Sequence, residues 1–275
     1  AISAFWSMSI TVAARIAGPE RLGRAVMFTA AGTSLATVAG VPLGVMLAEV
    51  VDWRTVFAIA GVATGLLAIA LRALLPSVPA AQASSIRLLV DTVRQPGIGL
   101  GLIGHVFVVL GHFLAYTYVR LALERIPDAD ATTIVVLLAL FGAGGLIGNL
   151  VIGFVIDKTF AFFAVLAPLV IAVSVASMLL LSGSVVGIAV VVFVWGFFFA
   201  SWLIVVNTWV GHRMPSRLEA GGSLVVVGFQ GAIMLAAGLG GFLVDGAGVE
   251  VAYVLGASLL VIGAVLFGLS NRVRG

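Results

Sequence analysis

Along the chain, hydrophobic and polar positions separate into long apolar blocks divided by short polar punctuation. Cutting at charges, prolines and turn residues leaves blocks near 2–17, 26–51, 54–75, 99–121, 132–156, 160–182, 185–210, 222–244 and 250–270. All but the first reach the roughly 20 residues that a helix needs to cross a bilayer. None shows the strict alternation of a membrane strand, so a β-barrel is not expected. Nine membrane-spanning helices are predicted, the first of them clipped. The polar stretch SVPAAQASSIRLLVDTVRQPG has a pattern of its own. Ile86, Leu89, Val90 and Val93 follow the i, i+3, i+4, i+7 spacing with Arg87, Asp91 and Arg94 opposite, which predicts a short amphipathic helix at the membrane surface.

Composition strengthens this reading. Of 275 residues, 62% are hydrophobic and 9% charged, and the mean hydropathy of +1.28 lies outside the range of soluble domains. The 34 glycines suit helices whose backbones approach closely in lipid. With no cysteine and three dispersed histidines, disulfides, thiolate metal sites and zinc centres are not expected, and no cofactor is implied. The pI of about 10.0 would suggest a nucleic-acid partner only if the basic residues shared one soluble surface. They lie instead in the short loops between apolar blocks.

Those loops set orientation, because Lys and Arg are retained on the cytoplasmic side. One alternate set carries Arg15, Arg21 and Arg24, then Arg72, Arg87 and Arg94, then Lys158, then Arg213 and Arg217, and finally Arg272 and Arg274. The other carries Asp52 and Arg54, then Glu124, Arg125, Asp128 and Asp130, then the uncharged SGSVVG, then Asp245 and Glu250. The first set is predicted to be cytoplasmic, with the C-terminus. Nine spans then place Ala1 outside, so an odd number of spans is expected to precede it. Three would complete a twelve-span, six-plus-six protein. The domains are accordingly 1–76, the second half of an N-terminal bundle; 77–98, a central cytoplasmic loop with its interfacial helix; and 99–275, a C-terminal six-helix bundle.

Four side-chain patterns bear on function. In AGVPLG, Gly40, Pro42 and Gly44 interrupt an otherwise good helix; proline deletes a hydrogen bond and glycine weakens the helix, so a bend is expected there. Asn149, Gly153 and Asp157 recur every four residues and share a stripe, followed by Lys158. His105 and His112 are seven apart, with Tyr116 four further on, so the three project to nearly one face. Trp195, Trp202 and Trp209 repeat every seven. Polar groups at membrane depth face protein or water rather than lipid, so both aromatic stripes are expected to line an internal pathway. Trp202, nearest mid-span, is the stronger candidate, while Trp195 and Trp209 also suit interfacial anchors. Asn207, Gln230 and the Thr29, Thr33, Thr37 stripe are weaker contributors.

Four stretches also resemble sequences of the major facilitator superfamily, in its proton-linked drug and sugar efflux branch. GTSLATVAGVPLG, followed by DWR, resembles the glycine-proline motif of the antiporters' fifth span. GNLVIGFVIDK resembles the G-x-x-x-D-[RK] core that follows the eighth span, although TFAFF after it lacks the usual basic tail. VRQPGIGLGLIGHVFVVLGHFLAYTYVR and FWSMSITVAARIAGPERLGRA resemble bacterial arabinose and purine-nucleoside efflux permeases. The resemblance implies an all-α, two-bundle major facilitator fold, of which this chain holds about nine helices, spans 4 to 12. It implies that Gly32, Gly40, Pro42 and Gly44 form a hinge and seal against the other half. It also implies that Asp157 meets a helix N-terminus of the opposite half, with Arg24 and the start of the fifth span as partners in a cytoplasmic gate.

The expected function is transport, not catalysis: no Ser–His pair or paired acids cluster at one depth, and no channel filter or re-entrant loop is visible. The pathway residues His105, His112, Tyr116, Trp202, Asn207 and Gln230 combine aromatic faces with hydrogen-bonding groups and no mid-membrane acid. That lining suits a neutral, hydroxyl-bearing sugar or nucleoside; the resemblance implies its export in exchange for protons, by a monomer in a bacterial inner membrane. A multidrug exporter and a non-transporting, receptor-like membrane protein are the alternatives.

Overall fold

A computed structural model describes residues 51–74, 85–127 and 129–273, with isolated positions earlier in the chain. The blocks at 2–17 and 26–51, and with them Arg24, Gly40, Pro42 and Gly44, lie outside the described residues except at those isolated positions. Every regular element described is helical. Helix α1, Trp53–Leu74, is started by Asp52, whose carboxylate accepts from the backbone N–H of Arg54 (2.8 Å) and Thr55 (3.1 Å). These bonds, with the Thr55 hydroxyl, hold the Asp52 carboxyl below its ordinary pKa. The most apolar window of α1 has no buried residue, as expected of a span that faces lipid or helices outside the described set.

A short helix forms where the amphipathic spacing predicts one: α2, Ile86–Val93, is capped by Ser85, which accepts from Leu88 N–H at 3.1 Å. Its apolar face is left outward, with Ile86 81% and Val90 43% exposed, while Thr92 is turned in and buried. Arg217 donates to the Thr92 hydroxyl at 3.2 Å and so ties α2 to the later helices.

The block at 99–121 becomes two helices, α3, Ile98–Tyr116, and the short α4, Val119–Leu123, with a break at Thr117 and Tyr118. The Tyr118 ring packs on Gly240, which leaves room for no side chain of its own. Blocks 132–156 and 160–182 were expected as two spans parted by a loop at Asp157 to Thr159. Instead the backbone stays helical from Ala131 to Leu180 as α5, 50 residues long, started by Asp130, which accepts from Thr133 N–H at 2.7 Å. The remaining blocks are α6, Val185–Arg213; α7, Leu218–Ala247; and α8, Val249–Ser270, with a 3-10 turn at Pro215–Arg217.

Helix α5 is not one rod. Gly144 and Gly148 abut the carbonyls of Phe193 and Phe197 on α6, so this part of α5 runs parallel to α6. A straight helix would carry Leu180 about 54 Å from Gly144. Yet Leu180 is joined to Val185 by only four residues, within about 19 Å, and Val185 lies about 12 Å along α6 from Phe193. Both conditions hold only if α5 doubles back. Contact between the Phe160 and His212 rings, 5.3 Å between centroids, puts the reversal beside the end of α6. Two antiparallel arms, as the hydrophobic blocks imply, are therefore kept, but joined by a tight helical reversal.

Packing joins α5 to α6 and α8, α8 to α3, and α3 to α7. Lipid is as apolar as leucine, so these contacts rely on close van der Waals fit and interhelical hydrogen bonds. Where α5 meets α6, Gly144, Gly148 and Gly196 each sit against a backbone carbonyl of the other helix. Where α3 meets α8, a Cβ on Gly256 would stand 2.7 Å from the Gly111 carbonyl oxygen.

The two ends of the bundle differ chemically. At one, the Arg213 guanidinium donates to the carbonyls of Pro96 (2.7 Å) and Val273 (2.9 Å), drawing together the start of α3 and the ends of α6 and α8. Gly97, at φ 79°, provides the left-handed turn beneath that guanidinium, where a Cβ would lie 2.8 Å from it. At the other end, Arg125 pairs with Glu250 at the start of α8.

Candidate functional site

Helices α3 and α6 run antiparallel, so residues spaced by seven on one meet residues spaced by seven on the other. The histidine and tryptophan stripes become a ladder. In the inner rung, Trp202 Nε1–H donates to His105 Nδ1 at 3.1 Å. His105 Nε2 lies 3.2 Å from the carbonyl of Val225 on α7. Only the tautomer with hydrogen on Nε2 satisfies both contacts, since Nδ1 must accept and the carbonyl can only accept. His105 thereby joins three helices, and both of its nitrogens are used.

In the outer rung, Trp195 Nε1–H donates to His112 Nδ1 at 3.0 Å. No hydrogen bond reaches His112 Nε2 from the described residues. An aromatic box surrounds this imidazole: Tyr116 stacks on it at 5.2 Å, Phe199 lies parallel and closer, and Phe113 and Trp195 meet it edge-on. Phe141 closes on Tyr116 at 4.8 Å. Phe229 of α7 bridges the two rungs, contacting His105 and Phe113.

Trp209 occupies the third step. Its indole fills the space left by Gly101 and touches Phe267, but no histidine faces it and its Nε1 has no partner among the described residues. All three indoles are fully buried. The interfacial anchoring considered for Trp195 and Trp209 is corrected: an anchor needs its polar edge at the membrane surface, and these rings are enclosed by helices.

The other expected pathway residues do not join the box. Asn207 is buried, and its side-chain oxygen has no partner among the described residues. Gln230 is exposed. Sequence spacing placed the histidines and tryptophans on faces but missed the link between them, and also Phe141, Phe199 and Phe229. The matched seven-residue spacing on two blocks of opposite direction was the available signal.

At the basic end, Asn149 and Gly153 are buried, Asp157 is half-buried and Lys158 is exposed at the reversal of α5. Gly153 packs directly on Met27, which is fully buried and belongs to the block at 26–51. At Gly32 no described atom lies within 4 Å of an added Cβ. Among the described residues, every Asp and Glu inside the apolar blocks lies at an end of an element or at the α5 reversal.

The family described as the Major Facilitator Superfamily matches residues 1–220. The chain is 31% identical over 278 residues to the "Transcription regulatory protein OpdE" of Pseudomonas aeruginosa, a match that covers 99% of this chain and 69% of that protein. It is 27% identical over 266 residues to the "Purine ribonucleoside efflux pump NepI" of Escherichia coli K12, covering 97% of this chain and 67% of the pump. The protein of the same name from Salmonella paratyphi B is 25% identical over 273 residues, with 99% and 69% covered.

Proposed function

Because the chain belongs to the Major Facilitator Superfamily, a family of multi-pass membrane transport proteins, we propose that it exports a small neutral hydroxylated solute, a nucleoside or sugar, in exchange for protons by alternating access. The aromatic box around His112 carries this reading. Stacked rings recognise a planar base or the apolar face of a sugar, and an imidazole N–H supplies a polar partner. A lipophilic cation would call for a buried carboxylate, and none of the described acids lies within the box. The name of the NepI relatives, purine ribonucleoside efflux pump, supports the nucleoside over the sugar.

In this reading His105, His112, Tyr116 and Trp202 line or support the pathway, with Asn207 and Gln230 as outer contributors. The stripe of Asn149, Gly153, Asp157 and Lys158 serves as a cytoplasmic gate against Arg24 and the start of the fifth span, and the contact of Gly153 with Met27 is consistent with that. Gly32, Gly40, Pro42 and Gly44 serve as the hinge and seal. The protein works as a monomer in a bacterial inner membrane with its C-terminus cytoplasmic.

The test is efflux of labelled inosine, arabinose and ethidium from cells expressing the complete gene, with and without a protonophore. Protonophore-sensitive export of inosine is expected. Export of ethidium alone would make it a multidrug exporter. A second reading, a receptor-like regulator, is favoured by the name of the OpdE relative; loss of all three effluxes with intact membrane insertion would support it.

A further inference from the structure

The two histidines of the ladder are chemically unequal, and the inequality assigns a role to Trp195. His105 spends both nitrogens within the protein, on Trp202 and on the Val225 carbonyl. His112 spends only Nδ1, on the Trp195 indole. An indole N–H can only donate. While it points at Nδ1, that nitrogen must be an acceptor, and the ring hydrogen of neutral His112 must sit on Nε2. A free imidazole interconverts its tautomers; this one is held.

We propose that Trp195 is a positioning residue that fixes His112 as a hydrogen-bond donor, so that the aromatic box selects a solute presenting a lone pair, such as a ring nitrogen, carbonyl or hydroxyl oxygen, against a stacked ring. Three observations converge on this. His112 is 1% exposed, and its Nε2 has no partner among the described residues. An N–H left unmade in so enclosed a site is costly unless a ligand or water completes it, and unlike Trp209 Nε1 this atom is not itself sealed off. The faces of the ring are already covered by Phe199 and Tyr116, so His112 can meet a solute only through its edge. Trp202 performs the same chemistry one rung inward, but there the resulting N–H is consumed by Val225. The inner rung is structural and the outer rung recognises solute. This assignment rests on the transport reading above.

Two measurements separate the assignment from that reading. The first is 15N NMR of histidine-labelled protein, with the His112 signal identified by its loss in His112→Gln. The wild type is expected to show His112 with hydrogen on Nε2 alone, and Trp195→Phe to show mixed tautomers; a wild-type signal with hydrogen on Nδ1, or no change in Trp195→Phe, overturns the assignment. The second is the kinetics of inosine export from the complete gene product. Loss of one neutral hydrogen bond corresponds to roughly a 2- to 13-fold rise in KM. Trp195→Phe is expected to raise KM by that factor with kcat nearly unchanged, whereas Trp202→Phe, whose indole bonds His105 instead, is expected to lower thermal stability and to leave the His112 signal with hydrogen on Nε2. A shift of the His112 signal in Trp202→Phe as large as in Trp195→Phe would overturn the division between rungs. If the wild type exports no inosine, the nucleoside reading falls, and the NMR result still decides whether Trp195 sets the tautomer.

Discussion

At the scale of single residues, the inner rung is a buried hydrogen-bonded network with no spare capacity. Removing one member strands the other. His105→Leu leaves the Trp202 N–H without an acceptor in a buried site, a loss of roughly 1 to 3 kcal/mol. Trp202→Phe made on top of it removes the stranded donor, so the second change should cost less than it does alone. The measurement is a double-mutant cycle on thermal unfolding in detergent, followed by intrinsic fluorescence; additivity within about 0.3 kcal/mol would mean that the pair is not coupled. Spacing had shown that His105 and His112 share a face, because a helical face follows from numbering alone. It had not shown that the face meets Trp202 and Trp195, because partnership depends on which helices are neighbours and in what register.

At the scale of elements, the hydrophobic blocks were read closely where charge or turn chemistry marks their ends. Asp52, Ser85, Asp130 and Ser184 all cap the helices that the pattern starts near them. The junction at Asp157 to Thr159 was less legible. It contains no proline or glycine, so nothing local stops the helix, and the reversal is imposed by the packing of both arms rather than by turn residues. Spin labels at 136 and 180 would test the geometry: the doubled-back arms predict a separation below about 35 Å with the label arms included, against about 66 Å for an unbroken rod. The close α5 and α6 contact yields another prediction. Gly148→Leu forces a side chain into the Phe197 carbonyl; overpacking of this kind costs roughly 1 to 3 kcal/mol, so a lower unfolding temperature is expected. Gly183→Leu, where an added Cβ meets nothing among the described residues, should be nearly neutral.

At the scale of the whole molecule, the reversal of α5 decides the topology. With α5 doubled back, the described segments from α1 onward include seven apolar arms. The start of α3, the ends of α6 and α8, and the 3-10 turn after α6 then gather at one end, where Arg213 and Arg217 bind Pro96, Val273 and Thr92. Lys and Arg are concentrated at that end, and by the rule that retains them in the cytoplasm we propose that it lies inside. The turn between α5 and α6 is then expected outside. A chain without native cysteine makes this directly measurable. Gly183→Cys lies in that turn and Ser216→Cys in the loop before α7, and both positions are exposed. A membrane-impermeant maleimide applied to intact cells is expected to label position 183, and to reach position 216 only after the membrane is broken. Labelling of 216 alone in intact cells would invert the molecule, because the two sites are separated by the single crossing of α6. Labelling of both would mean that α6 does not cross, and the antiparallel ladder of α3 and α6 would lose the membrane setting on which its recognition chemistry depends.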